Sequence, residues 1–510
     1  MKARITATET VPTHDGASLD CHVWQSQTGR IHNALLMLAD SNNDDGWASA
    51  LVHQLDMPNA VAMAPVLHEI ELADSPTIIQ ALIDHICSRH DLSPADILLI
   101  GKGSGASRAA LFAHDCAPLL RGMILDTPRF ASLGFAERRT MHRVVADATA
   151  IITPTLILSA NHRFDRDHGA QQRLHDQFGS LLKDIAPAAE ALVLPTIRGF
   201  IARCFATARP VIPNLLDADR HGHTAAEFER LSQPPGPWSP RGLYWRGVRS
   251  GLKLAGRFSD GIRLGHEVGF DSGAMLDYVY RNEAKGMGPI GRMIDRNYID
   301  AIGWQGIRQR KLNLEAMLLE ANRRLSDTGE DIRLLDIAAG HGRYILDAVN
   351  QFDQRPSRVQ LRDFDAHNVA DGRVLIRDKA LADIAGFERG DAFDAEALAS
   401  LNSPDSLATL SVVSGLYELF PENEPVQRSL AGLAEATASG GYLVYTGQPW
   451  HPQLEFIARA LTSHRDGQAW TMRRRTQAEM DQFVTAAGFE KVTQRVDPWG
   501  IFTVSLAVRR

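Results

Sequence analysis

The stretch IRLLDIAAGHGRYILDAV (332–349) decides the reading of this chain. An apolar run closes on Asp336 and Ile337. A loop of small residues follows, Ala338, Ala339, Gly340, His341 and Gly342, and an amphipathic stretch begins at once. Strand, tight loop and helix in that order make the first turn of an open α/β sheet, where ligands bind beyond the carboxyl ends of the strands. Glycines in such a loop let the backbone approach a ligand closely.

Two features separate this loop from a dinucleotide site. The G-x-G-x-x-G spacing is absent. An acid, Asp336, sits inside the strand, where a dinucleotide site is normally apolar. S-adenosylmethionine (SAM) has no pyrophosphate and carries an α-amino group that a nearby carboxylate can help hold. The loop is therefore read as a SAM site, with Asp336, Ala338, Ala339, Gly340, His341 and Gly342 as contacts.

Downstream runs extend the series. RVQLRDFD (358–365) ends in Asp363, an acid placed to accept hydrogen bonds from ribose hydroxyls, with Asp365 as the off-by-one alternative. FERGDAFD (387–394) offers Asp391 for an adenine amino group and Ala392, small enough to flank the ring. ATLSVVSGLYELF (408–420) reads as a fourth strand with Ser414 at its end, and GGYLVYTGQPWHPQLEF (440–456) as a fifth strand and loop. AAGFEKVTQRVDPWGIFTVSLAVR (486–509) reads as a closing antiparallel hairpin about Pro498-Trp499-Gly500. The expected fold of this half is Rossmann-like, a mostly parallel sheet with a terminal antiparallel hairpin.

Upstream, QPPGPWSP (233–240) breaks the pattern with four prolines in eight residues, which reads as a linker. Before it, ALLMLA (34–39), DILLIG (96–101), GMILD (122–126), TPTLILSA (153–160) and EALVLP (190–195) read as buried parallel strands, and SPTIIQALIDHICSRH (75–90) as a helix between them. The fold class is thus α/β, with two doubly wound domains. The expected division is a first domain over 1–213, a linker over 214–244, a lid or N-terminal extension over 245–330, and the SAM-binding domain over 331–510.

In the first half, DILLIGKGSGASRAALFAH (96–114) has the layout of a nucleophile elbow. Its register puts Gly103 at the nucleophile position. Ser104 falls one place along, and Ser107 about a turn into the helix. Over about residues 5–210 the chain resembles α/β-hydrolases of the monoglyceride-lipase and lysophospholipase type. Their oxyanion His-Gly is replaced here by Ala39 and Asp40. Their acid position falls near Asn161, His162 and Arg163, with Asp165 and Asp167 a little late. Arg198 and Gly199 stand where they place histidine. A serine nucleophile needs a base, and the base an orienting acid. Losing several elements together implies a hydrolase-like domain without its chemistry. The alternative is a rearranged site using Ser104 or Ser107 with His162 or His168.

The second half resembles the class I SAM-dependent methyltransferases. More narrowly, it is similar to a bacterial methyltransferase family fused behind a lysophospholipase-like domain. The likeness covers roughly 245–510. It rests on GFDSGAMLDYVYRN (269–282), DRNYIDAIGWQGIRQRK (295–311), DIAAGHGRY (336–344), SGLYELFPEN (414–423), TGQPWHPQLE (446–455), SHRDGQAW (463–470) and MRRRTQAEMD (472–481). It implies a cofactor loop over Asp336 to Gly342, a ribose acid at Asp363 and an adenine contact at Asp391.

Methyl transfer needs an acceptor atom aligned with the donor methyl, and an oxygen or nitrogen acceptor often needs a base. Tyr417, Glu418 and His451 are the catalytic candidates, with Gln448, Trp450 and His341 nearby. Arg473, Arg474, Arg475, His464 and Arg465 suggest an anionic acceptor, as do Arg281, Arg292, Arg296, Arg308 and Arg310 upstream. The residues from Asp277 to Arg310 read as a lid over the cofactor or acceptor, with little helical periodicity.

The chain has 510 residues, 54 basic and 61 acidic, for a net charge of −7, which argues against a nucleic-acid partner. No apolar run reaches the ~18 residues of a membrane span, and the N-terminus lacks a signal-peptide core. Four cysteines without a CxxC pair predict neither a disulfide framework nor a cysteine metal site, and no other metal site is expected. These features predict a cytoplasmic protein; the acceptor is read as a small molecule, which the resemblance of the first half to lipid esterases implies is lipid-like, with peripheral membrane contact open and oligomeric state undetermined. A bifunctional ester hydrolase and a non-catalytic SAM sensor are the competing functions.

Overall fold

The computed structural model describes residues 5–13, 18–25, 30–40, 45–66, 71–130, 133–159, 167–207, 209–400, 407–465 and 467–510. The chain divides into two compact units, Met1–Asn214 and Leu215–Arg510, each with its own sheet.

In the first unit the strands are β1 (Ile5–Pro12), β2 (Ser18–Gln25), β3 (Asn33–Leu38), β4 (Ala60–Pro65), β5 (Ile97–Lys102), β6 (Gly122–Asp126), β7 (Thr155–Ser159) and β8 (Lys183–Pro187). Their order is β1-β2-β4-β3-β5-β6-β7-β8. β2 runs antiparallel to both of its neighbours, β1 and β4, and the remaining neighbours are parallel. Leu36, Met37, Leu38 and Ile97 to Ile100 are fully buried. Burial on both faces explains why these strands read as unbroken apolar runs. The helix Ser75–His90 falls where its pattern predicts.

One expected strand is a helix. EALVLP lies in the helix Glu190–Phe205, and the edge strand is the short, half-exposed KDIAP of β8. Ile197, Phe200, Ile201 and Cys204 bury at helical spacing beyond the quoted run. A six-residue apolar window cannot separate the two periods.

The second unit opens with helices Ala218–His221, His223–Ser232, Pro240–Ala255, Asp260–Val268, Gly273–Arg281, Gly288–Ile299 and Ile302–Asp327. Its strands are β9 (Arg333–Asp336), β10 (Arg358–Asp363), β11 (Ala385–Arg389), β12 (Ala408–Val413), β13 (Thr437–Gly447), β14 (Phe489–Val496) and β15 (Thr503–Arg509). Their order is β11-β10-β9-β12-β13-β15-β14. The strands through β13 are parallel, and β14 and β15 form an antiparallel hairpin laid against β13.

Two expectations change here. Much of the stretch read as a linker is helical and packs with the second unit. Asn423 Nδ2 donates to Leu216 O at 3.0 Å, and Arg474 Nε to Glu227 at 2.5 Å. The proline run starts a helix instead of forbidding one. Pro240 sits in the first turn, where its missing N–H costs nothing, and Ser239 Oγ accepts from Gly242 N at 3.0 Å as the cap. The supposed irregular lid from Asp277 to Arg310 is also largely helical. Short helices with capping Ser259 and Ser272 leave too few turns for a periodic signal.

The helix Ile302–Asp327 links lid to sheet. Ile307, Arg310, Leu314, Met317, Leu318, Ala321 and Leu325 bury at three- and four-residue spacing. Its one buried arginine stands in that apolar stripe near the helix start, which brings Arg310 to the site. No helix among the described residues is long and apolar enough to cross a membrane.

Candidate active site

β9 leads into the small-residue loop, and the loop's shape depends on two glycines. Gly340 and Gly342 take positive φ, 57° and 73°. A Cβ on Gly342 would stand 2.6 Å from Leu361 Cδ1, so backbone and packing both select glycine there. Ala339 N donates to Arg362 O at 3.0 Å, and Gly340 N to Asp363 Oδ2 at 2.8 Å. The loop is thereby pinned to the end of β10.

The loop opens on a cavity of about 710 Å³, within the ~300–1,000 Å³ of small-molecule sites. Ala338, Ala339, Gly340, His341, Gly342, Asp363, Asp391, Ala392 and Ser414 all line it. The donor set fits SAM. Acids stand at two strand ends, the glycine loop presents backbone, and Phe364, Phe393 and Phe420 supply apolar ring faces. Asp363 also holds the site: Oδ1 accepts from Asp365 N at 2.9 Å and Asn368 Nδ2 at 3.0 Å. Asp365 caps the next helix through His367 N at 2.7 Å and borders the same cavity.

Asp336 departs from its expected place. It is fully buried and does not line the cavity. Tyr344 Oη donates to its Oδ2 at 2.5 Å, while Oδ1 has no hydrogen-bond partner. Burial pushes its carboxyl up to about 7, against the pull of the Tyr344 hydrogen bond, with Asp363 adding to the rise. Asp336 therefore supports the loop from behind.

The helix Gly273–Arg281 walls this cavity, in part within the stretch read as a lid; sequence reasoning missed its helical form and its start at Gly273. Gly273, Asp277 and Tyr280 all line it. Asp277 pairs with Arg343 and, at 2.5 Å, with Arg281. Burial opposes ionisation of Asp277, but Arg343 and Arg281 hold its carboxyl below the ordinary value. The available signal was the Ser272 cap, which opens that helix one residue from the loop-facing Gly273.

A second cavity of about 320 Å³ adjoins the first. Asp271, Leu276, Arg310, Gly415 and Leu419 border both. Glu418 and His451 line the second, and Glu418 Oε1 lies 3.5 Å from Arg310 Nη1. Tyr417 lines neither cavity. Its hydroxyl donates to Ser429 Oγ at 3.0 Å inside the core, and burial raises its pKa. Tyr417 therefore belongs to the fold. His451 is also recast. Burial lowers its pKa to about 3, so it is neutral. Its Nδ1 accepts from Gln453 N at 3.1 Å, which assigns the ring proton to Nε2. In that tautomer Nε2 donates a hydrogen bond and cannot take a proton.

The arginines read as an anion site are mostly engaged elsewhere. Arg473 binds Asn423 and Glu479 at 2.7 Å each. Arg474 binds Glu227 and Pro449 O. Arg475 donates to the carbonyls of Tyr417, Phe420 and Glu422 at 2.6, 2.8 and 2.9 Å. This buried wedge fixes the loop after β12, and with it Glu418. Arg465 caps Leu419 O at 2.5 Å, and His464 pairs with Asp271. Upstream, Arg281 pairs with Asp277, Arg296 with Asp300, and Arg308 binds Ile299 O.

In the first unit the elbow backbone is present. Gly103 takes φ 56° and ψ −117° between β5 and the helix Ser104–Cys116. A Cβ there would collide with the Asp40 carboxylate. Asp40 is paired with Arg129, and Ser104 Oγ donates to Asp40 Oδ1 at 2.8 Å. Ser107, buried, donates to Arg129 O at 2.6 Å. His168 Nδ1 lies 2.9 Å from Ser159 Oγ, and Asp167 accepts from Phe130 N at 2.7 Å. Arg198 and Gly199 lie on the helix Glu190–Phe205. Asn161, His162, Arg163 and Asp165 lie outside the described residues.

A family described as "Putative methyltransferase" matches residues 197–509, more than half of the chain. The chain belongs to this methyltransferase family. A relative in Escherichia coli (strain K12), named "Uncharacterized protein YnbC", is 35% identical over 585 aligned residues and covers 100% of this chain and 99% of its own. Among solved structures, a possible exported protein of Bordetella parapertussis aligns at 16% identity over 57% of this chain and 97% of its own, with a TM-score of 0.39. Est1E from Butyrivibrio proteoclasticus aligns at 13% identity over 40% of this chain and 100% of its own, with a TM-score of 0.34. A SAM-dependent methyltransferase from Methanosarcina mazei aligns at 20% identity over 35% of this chain and 92% of its own, with a TM-score of 0.28. Scores this low carry no weight, and membership of the methyltransferase family rests on the family match over residues 197–509.

Proposed function

We propose that the second unit is a class I SAM-dependent methyltransferase acting on a small acceptor. The observation that carries this reading is the loop Ala338–Gly342, which has two positive-φ glycines and is pinned to Asp363 at the mouth of a cavity joined to a second one. Bound at the loop, SAM supplies a methyl carbon made electrophilic by its sulfonium. Asp363 or Asp365 would accept from the ribose hydroxyls, and Asp391 would accept from the adenine amino group. Asp336 keeps β9 and the loop in place from below.

The chemistry asked of the protein is alignment and proton removal. With SAM held at the loop to supply the methyl group, Glu418 would take the proton that the acceptor gives up. Arg310 beside Glu418 orients that carboxylate. His451 donates a hydrogen bond to the acceptor from Nε2.

The first unit is read as a hydrolase-like scaffold whose nucleophile position holds Gly103. Asp40 in the space of the missing side chain supports that reading. Titration calorimetry tests the cofactor assignment. One SAM should bind per chain, and Gly342→Val should weaken it; no heat of binding in the wild type would end this reading.

A further inference from the structure

We infer that the methyl acceptor is an uncharged molecule with an apolar or aromatic body and one hydrogen-bond-accepting end, held in the cavity of about 320 Å³ beside the cofactor site. This rests on the methyltransferase reading and names its substrate class. Three observations carry it.

The first is the wall. Ile262, Ile294, Trp304, Ile307, Phe456 and Trp470 face the space. Trp304 and Trp470 stack with ring centroids 6.2 Å apart. Such walls bind by burying apolar area.

The second is charge. Arg310 faces Glu418 at 3.5 Å and lies over the Phe502 ring at 4.8 Å. Asp271 is held by Ser463 Oγ and His464 N at 2.6 Å each. Each charge at the wall is already in an ion pair, and the Arg310 Nε–H, left without a hydrogen bond, is a further donor there. A charged acceptor entering here would lose its water and meet no spare counter-charge, which is costly in an apolar site.

The third is an orphan. Gln448 lines the cavity, is buried, and its Nε2 has no hydrogen-bond partner. A buried donor left unmade is destabilising. An acceptor oxygen placed at Nε2 would remove that cost, and His451 Nε2 adds a second donor on the same wall. Both groups donate, so the end they recognise accepts, as a hydroxyl oxygen does while its own proton faces Glu418.

The test uses two dyes with the same kind of aromatic body, neutral N-phenyl-1-naphthylamine and anionic 8-anilinonaphthalene-1-sulfonate, titrated against the full chain. Energy transfer from tryptophan gives the readout, and a parallel SAM titration by calorimetry monitors the cofactor site. The neutral dye should bind saturably, at least tenfold tighter than the sulfonate. Ile307→Trp, which fills the cavity, should abolish its binding while SAM affinity stays within twofold. Ile294→Trp, on a different helix, should do the same and covers the case in which the first variant fails to fold. Tighter binding of the sulfonate, or wild-type dye binding in a variant that still takes up SAM, would overturn the inference. Loss of SAM binding in the wild type with dye binding intact would instead overturn the methyltransferase reading and leave the cavity assignment standing.

Discussion

Replacing Asp336 by Asn isolates the cost of a buried carboxylate under the cofactor loop. Asp336 is fully buried, and its carboxyl is raised from an ordinary 3.8 to about 7, first by burial. Folding therefore favours the protonated acid. The group's stabilising contribution is complete below pH ~4 and is lost as pH rises to ~7, at about 1.36 kcal/mol per pH unit. The whole interval amounts to about 4 kcal/mol, of which about 3 kcal/mol falls between pH 5 and pH 8. Asn still offers an oxygen to the Tyr344 hydroxyl and does not ionise. It also introduces an amide N–H, whose cost does not vary with pH. Urea unfolding of wild type and Asp336→Asn at both pH values cancels the other titrating groups. Tryptophan emission reports mainly the second unit, which holds Trp238, Trp245, Trp304, Trp450, Trp470 and Trp499 of the chain's 8. The variant should gain about 3 kcal/mol on the wild type in going from pH 5 to pH 8. An equal difference at the two pH values would show that Asp336 is ionised throughout, and the account of its burial would fail.

Other expected outcomes follow from the same geometry. Gly342→Val forces a β-branched residue into φ 73° against Leu361; strain of about 1–3 kcal/mol predicts a tenfold to hundredfold loss of SAM affinity by calorimetry. Glu479→Gln strips the buried Arg473 of its charge partner, which should cost about 3–5 kcal/mol in chemical unfolding. Gly103→Ser should produce no turnover of p-nitrophenyl acyl esters, because Asp40 occupies the side-chain space; measurable turnover would revive a catalytic first unit.

The parallel strands and the glycine loop after β9 were legible because burial on two faces leaves a continuous apolar run and a positive φ leaves glycines. The helix Glu190–Phe205 was not, since EALVLP is shorter than the distance over which the two periods diverge. Composition alone also misplaced the arginines. Arg473, Arg474 and Arg475 look like an anion site in sequence, and only the fold shows Glu479, Glu227 and a row of carbonyls waiting for them. Arg310 is the converse case. Its place in an apolar helical stripe, between Ile307 and Leu314, is the one sequence signal that could have set it apart from its neighbours. Tyr417 and Glu418 show why adjacency in a loop is weak guidance: neighbouring side chains diverge, one into the core and the other toward the second cavity.

The central claim is methyl transfer, and methyl-labelled SAM tests it most directly. The purified chain would be incubated with labelled SAM and a cell extract, which is then separated into lipid, small-molecule, protein and nucleic-acid fractions. Label in an organic-extractable, uncharged product, absent with Gly342→Val, is the predicted result. SAM bound by the wild type with no label transferred to any fraction would contradict it.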